Sequence, residues 1–293
     1  MVIQALRNPH FRLFAGAFLI SFSPVFVRLV SVSPSASGFY RTGFGAVALL
    51  VFLVATKRWH TPPRVTQFAL LIASLFFAAD LWFWHRSVLL IGPGLSTLLA
   101  NLQVFFMIAA GILLFRERPG GLQIFAAVLA ILGLLLIFGR DWSALDGDFR
   151  AGVVLGLLTA LSYAGYLLSM RQARRNAIDA LPVVEVAIVS VVVAAILGCA
   201  VLLEGDSLKL SNVADLGWLL AYGVLAHAIG LMLIASSLTA VTAATVGIAL
   251  LLQPTLTLFW DFLFFGRHFT PFEIFGAALT LAAIFLGSQR RVT

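Results

Sequence analysis

Ten polar or ionisable side chains stand out in an otherwise apolar chain: Arg41, Asp80, His85, Asn101, Gln103, Tyr163, Tyr166, His227, Gln253 and Asp261. A charge in a membrane span costs about 2.5–3.5 kcal/mol on insertion scales, and such groups usually face protein or water. The planar fork of Arg41 suits a carboxylate. Asp80 offers it a competing ion pair, and a gate at the outer end of the bundle is a third role for the two. Asn101, Gln103 and Gln253 give and accept hydrogen bonds, either to a substrate or as glue between helices. Asp261 ends the stripe Gln253–Thr257–Asp261 at i, i+4 spacing, and is read either as part of a site or as an interfacial residue. Tyr163 and Tyr166, with Thr159 and Met170, form a stripe able to stack on a substrate. His85 and His227 ordinarily change charge near neutral pH, so a coupling proton is one candidate partner. No third ligand stands at metal spacing and no nucleophile–base pair is visible, so the sequence predicts neither metal nor cofactor and argues against an enzyme.

These residues must be positioned by membrane-spanning elements. The chain is 61% apolar, its mean hydropathy is +1.06 and only 11% of its residues are charged, against roughly a quarter in a soluble domain. Ten apolar blocks fall at about 13–30, 36–56, 65–84, 94–115, 122–138, 151–170, 183–203, 216–236, 241–265 and 272–287. A helix needs about 20 residues to cross a bilayer. Barrel strands would be half that length and would alternate, which residues 124–138 do not. The predicted fold is an all-α polytopic membrane protein of ten transmembrane helices. The apolar stretch near Met1 runs on past Pro24 without a convincing cleavage site and is read as an uncleaved first helix. Cys199, the single cysteine, is expected to be a small buried hydrophobe.

Charge sets an expected orientation. Arg7, Arg12, Lys57, Arg58, Arg64, Arg116, Arg118, Arg171, Arg174, Arg175, Arg290 and Arg291 fall on one side. Half as many basic residues fall on the other: Arg28, Arg86, Arg140, Arg150, Lys209 and Arg267. The bias predicts a multi-pass protein of the inner (plasma) membrane with both termini cytoplasmic. A pI near 10.5 then reflects anchoring beside anionic lipid rather than nucleic-acid binding.

The halves repeat. Gln103 and Gln253 stand 150 residues apart, each near the start of a long apolar helix followed by a short one. Five spans per copy is odd, so the second copy, at 151–288, crosses in the opposite sense to the first, at 12–138, with 139–150 as an outer connecting loop. Two similar halves that exchange conformations present a central site to each side in turn. No GxxxxGK[ST] loop is present to bind ATP. A secondary transporter of small molecules is the leading expectation, and a passive channel the alternative.

Certain motifs make the chain resemble a known family. They are Ser33-Pro34 with Arg41, Asp80-Leu81-Trp82-Phe83-Trp84-His85, Asn101-Leu102-Gln103, Arg116-Glu117-Arg118, and Gly133 with Gly276 in the final helix of each copy. In order and spacing they resemble the drug/metabolite transporter superfamily, specifically the ten-helix EamA-type exporters. The resemblance implies a central cavity lined by both repeats, with the fifth and tenth helices peripheral. It also implies export of metabolites, amino acids foremost as in exporters of the YddG type, with toxic cations and sugar nucleotides as other cargoes of the superfamily. Two features depart from the pattern. Gly266-Arg267 stands where the first copy has Arg116-Glu117, and Arg41 has no counterpart in the seventh helix.

Overall fold

The computed structural model describes residues 8–115, 120–139, 146–173, 183–237 and 243–288, and all regular structure among them is helical. The Arg116-Glu117-Arg118 motif and much of the connecting loop lie outside the described residues. Helix starts follow the prolines, which fit the first helical turn because its N–H groups have no intrahelical acceptor. Thus α1 (Pro9–Ser21) gives way at Phe22 to α2 (Ser23–Leu29), with Pro24 in its first turn. Next, α3 (Pro34–Thr56) is capped by the Ser33 side chain, which accepts from the Ala36 N–H at 3.3 Å. Two helices, α4 (Arg64–Ile91) and α5 (Pro93–Ala100), are separated by Gly92. They are followed by α6 (Gln103–Phe115) and α7 (Gly121–Leu134), which ends in a π turn, Leu135–Gly139.

The second half contains α8 (Gly147–Ala173) and α9 (Val183–Leu203). A rod follows, made of α10 (Val213–Ala221), a π-helical segment (Tyr222–Gly230) and α11 (Leu231–Ala235). The described chain closes with α12 (Ala243–Phe265) and α13 (Pro271–Ser288). Seven described stretches are long and apolar enough to cross a membrane: Pro9–Leu29, Pro34–Thr56, Arg64–Ile91, Pro93–Leu113, Gly147–Ala173, Val183–Leu203 and Val213–Ile234. Gly121–Ile137 and Pro271–Leu286 are shorter apolar helices.

Packing joins the halves throughout. The helix pairs α4–α8, α3–α9 and α7–α13 lie together, α1 packs on the π-helical rod, and α5 packs on α12. At the α7–α13 contact Gly133 and Gly276 face each other, and a Cβ on either would stand within 2.8 Å of the other's carbonyl oxygen. Buried Leu70, Phe77, Leu81, Val193 and Leu197 fill the α4–α8–α9 core. The opposite surfaces carry Val54, Leu113 and Leu203, exposed as lipid-facing side chains are. Cys199 is exposed on α9 rather than buried. The third predicted span, α4, outruns its expected end at residue 84 and continues to Ile91. Asp80 therefore lies about 16 Å from the end of α4 instead of close to it.

Candidate functional site

A cavity of about 180 Å³ sits between the halves. Seven of the ten predicted residues line it: Arg41, Asp80, Asn101, Gln103, Tyr163, Tyr166 and Gln253. They come from α3, α4, the α5–α6 junction, α8 and α12, with Phe77 and Trp84 completing an aromatic wall. Tyr166 stacks on Phe77 with centroids 4.6 Å apart, and Tyr163 lies 5.5 Å from Tyr166. Asn101 and Gln103 both reach the cavity because the helix breaks between α5 and α6. The side-chain amide of Asn101 donates to the Thr97 carbonyl at 2.8 Å. An unbroken helix would put Gln103 on another face.

Arg41 is 8% exposed. Its Nη1 donates to the Tyr222 hydroxyl at 2.9 Å, and its guanidinium lies 4.9 Å from the Tyr222 ring centroid and 5.6 Å from that of Trp84. Its Nε has no partner among the described residues. The Tyr222 hydroxyl is 3.3 Å from His85 Nε2, and His85 Nδ1 is 2.6 Å from the Leu81 carbonyl. A carbonyl only accepts, so Nδ1 carries the hydrogen and Nε2 accepts from Tyr222. His85 is thus fully buried behind the cavity wall, as the anchor of an Arg41–Tyr222–His85 chain; it neither lines the cavity nor sits at an interface. Two glycines permit the arrangement. A Cβ on Gly45 of α3 would meet His227 Cδ2 at 2.3 Å, and one on Gly223 would meet the Arg41 carbonyl at 2.9 Å. The π-helical segment and α3 therefore approach backbone to backbone, and Tyr222 lands on Arg41.

The alternative Arg41–Asp80 ion pair is not formed. Among the described residues nothing hydrogen-bonds or ion-pairs with the Asp80 carboxylate. The cavity wall thus carries one guanidinium and one carboxylate, each with capacity unused. His227 is fully buried outside the cavity, its Nε2 2.8 Å from Ser190 Oγ and its ring 6.2 Å behind Phe77. Asp261 also lies elsewhere. It is fully buried, accepts from the Gly94 N–H at 2.9 Å and stands 3.9 Å from Arg28. It ties α12 to the start of α5 rather than facing a ligand or an interface. Tyr222 is the residue that sequence reasoning missed. Its signal is scarcity, since the chain uses 26 phenylalanines but only four tyrosines, so a mid-span hydroxyl is itself informative. Among the described residues no cluster of three His, Cys, Asp or Glu side chains is placed to hold a metal.

The face opposite the N-terminus carries a second polar group. Arg86 donates to Glu204 at 2.7 Å and to Ser35 Oγ at 3.1 Å, while Trp82 Nε1 donates to Glu204 at 2.7 Å. This joins α3 and α4 of the first half to the end of α9 in the second. Burial raises the Glu204 carboxyl, but hydrogen bonds from Ser35 and Trp82 and the Arg86 charge outweigh it and hold the group below its ordinary range. A depressed carboxyl stabilises above its unfolded pKa and loses that contribution as pH falls through the folded value, here below the ordinary glutamate range. In a Cys199→Ala background, Glu204→Gln should speed labelling of a Thr97→Cys thiol from that face by about two- to fivefold, the range of an exposed ion pair. Acidification slows labelling in both proteins by removing thiolate, so the ratio of the Glu204→Gln rate to the wild-type rate at the same pH should fall toward one as Glu204 is protonated. An unchanged labelling rate would show that this cluster holds nothing closed.

Comparison with known proteins adds to this geometry. The model of the EamA-like transporter family matches residues 9–139 and 150–289. The chain belongs to this family. An uncharacterized transporter of Haemophilus influenzae is 28% identical over 141 residues, which are 47% of this chain and 46% of that protein, so the match spans about half of each. A solved crystal structure, described only as that of a protein, shares the fold with a TM-score of 0.66 at 16% identity, covering 95% of this chain and 96% of the other. This EamA-like protein thus belongs to a family of transporters, and the cavity lined by both matched regions is its candidate substrate site.

Proposed function

We propose that this EamA-like transporter exports small zwitterionic metabolites, amino acids foremost, by alternating access. The observation that carries the reading is the pairing of an underused guanidinium, Arg41, with a free carboxylate, Asp80, on the wall of one cavity. A zwitterion supplies a carboxylate to the first and an ammonium to the second, and the aromatic wall accepts an apolar or cationic side chain. Asn101, Gln103 and Gln253 hydrogen-bond the substrate in this scheme, and Tyr163 and Tyr166 stack against it. The two family matches and the α3–α9 and α7–α13 pairings support ten helices arranged as an inverted pair of five-helix repeats. The basic bias supports cytoplasmic termini in the inner membrane, and a proton is the coupling ion we favour.

The test is counterflow in proteoliposomes against a panel of amino acids, with and without a pH gradient. A carrier saturates and exchanges, whereas a channel conducts without exchange and would overturn the mechanism. Asn101→Leu and Gln253→Leu should each raise KM about fivefold or more, the loss of one net hydrogen bond of ~1 kcal/mol, at normal membrane abundance. Unchanged kinetics in both variants would remove these amides from the site.

A further inference from the structure

A second, larger chamber opens between α3, α9 and the rod of α10, the π-helical segment and α11. Its volume is about 420 Å³, and Leu49, Phe52, Val186, Val224 and Met232 line it. Among the described residues Ser236 is the one polar residue in its lining. Among the described residues of its lining no charged side chain is present to hold a carboxylate, so it is a poor site for the zwitterion proposed above. Its long wall runs from Ser236, at the end of the bundle that carries the N-terminus, to Val224. That is twelve residues, at most about 18 Å at the α-helical rise and somewhat less across the π-helical turns. One leaflet of the hydrocarbon core is about 15 Å deep. The whole empty space there, about 1060 Å³ with its open side, is less than the roughly 1400 Å³ that a helix of ~10 Å diameter from a second copy would fill over this length. Ile229 forms its rim and is 39% exposed at the surface of the bundle.

A cation stands at the mouth. Arg12 Nη2 donates to the Ser236 carbonyl at 3.0 Å. Arg12 Nε is buried and has no partner among the described residues. We propose that the chamber is a lipid site holding one acyl chain of an anionic phospholipid, whose headgroup phosphate meets Arg12. A basic residue near the membrane surface favours anionic headgroups, and an apolar slot of leaflet depth suits a single chain. The site also adjoins the transport cavity, because Leu231 lines both. A bound chain would therefore brace the wall of the substrate site from behind.

Native mass spectrometry of the full-length protein in detergent tests this, using phosphatidylglycerol and phosphatidylcholine with identical chains. The wild type should retain one phosphatidylglycerol in preference to phosphatidylcholine, and Arg12→Gln should lower that preference about fivefold. Val224→Trp and Val186→Trp fill the slot from different helices. Each should cut retention of both lipids at least tenfold, the effect of excluding roughly two methylenes, with the elution profile of the wild type. Two tryptophan variants are included so that the misfolding of one leaves the other as the test. Wild-type lipid retention in a folded tryptophan variant would overturn the proposal, as would equal binding of the two lipids by the wild type. Loss of self-association in these variants without loss of lipid would assign the slot to a second copy and overturn it equally.

Discussion

Arg41→Lys is expected to weaken transport of amino acids about tenfold or more, while a cationic substrate lacking a carboxylate loses little. The guanidinium already spends one N–H on Tyr222 and lies against the rings of Tyr222 and Trp84. Those contacts fix its plane, so its remaining donors are oriented before a substrate arrives. A lysine keeps the charge but not the fork, and cannot satisfy Tyr222 and a carboxylate in the same geometry. Hydrogen bonds to charged groups are worth about 1.5–3 kcal/mol, which is roughly tenfold to more than a hundredfold in affinity. Vesicle assays run substrate by substrate separate the explanations. An equal loss for both cargo classes would mean that Arg41 shapes the bundle instead of binding the carboxylate. Arg41 and Asp80 make no direct ion pair, and lysine keeps the positive charge near Asp80, so the substitution tests the fork rather than the charge.

Several features of the site were legible in the sequence for a simple physical reason. Polar groups in a lipid-spanning helix are costly unless they face inward, so Arg41, Asp80 and the three amides could be read from their burial cost alone. What failed to show was local geometry. By sequence the helix carrying Asp80 is expected to end at residue 84, with Arg86 counted among the charges of the following loop. It continues because Arg86 finds Glu204, Ser35 and the Trp82 ring at its own level, and no breaker comes before Gly92-Pro93. The break between Asn101 and Gln103 has neither glycine nor proline to announce it. The π-helical segment is the clearest case. Residues five apart on an α-helix lie about 140° apart, so nothing in the spacing of Tyr222 and His227 suggested that both would turn toward α3. Wider π turns occur often at functional sites, and their register is set by packing against Gly45 rather than by any local signal.

Asp261 offers the sharpest contrast between a binding residue and a structural one. Asp261→Ala should destabilise the folded protein by about 2 kcal/mol or more while leaving KM for the transported substrate unchanged. The carboxylate takes the N–H of Gly94 in the first turn of α5, where an unpaired donor and the positive helix end both favour an anion. Leaving that buried N–H without an acceptor costs about 1–3 kcal/mol. Arg28, 37% exposed and 3.9 Å away, adds less because water screens it. Arg267 is drawn to the same spot, donating to the Ile91 carbonyl and to Glu273 at 3.3 Å. Gly92 gives an independent check. Its φ of +90° is one that side chains resist, and a Cβ there would stand 2.8 Å from Asp261 Oδ2 and 2.9 Å from Arg267 Nη1. Gly92→Ala should therefore reproduce the loss of thermal stability measured by size-exclusion after heating in detergent, again without a change in KM. A normal melting profile with a raised KM in Asp261→Ala would instead place this carboxylate on the substrate path. Transport would then involve the α5–α12 contact as well as the central cavity.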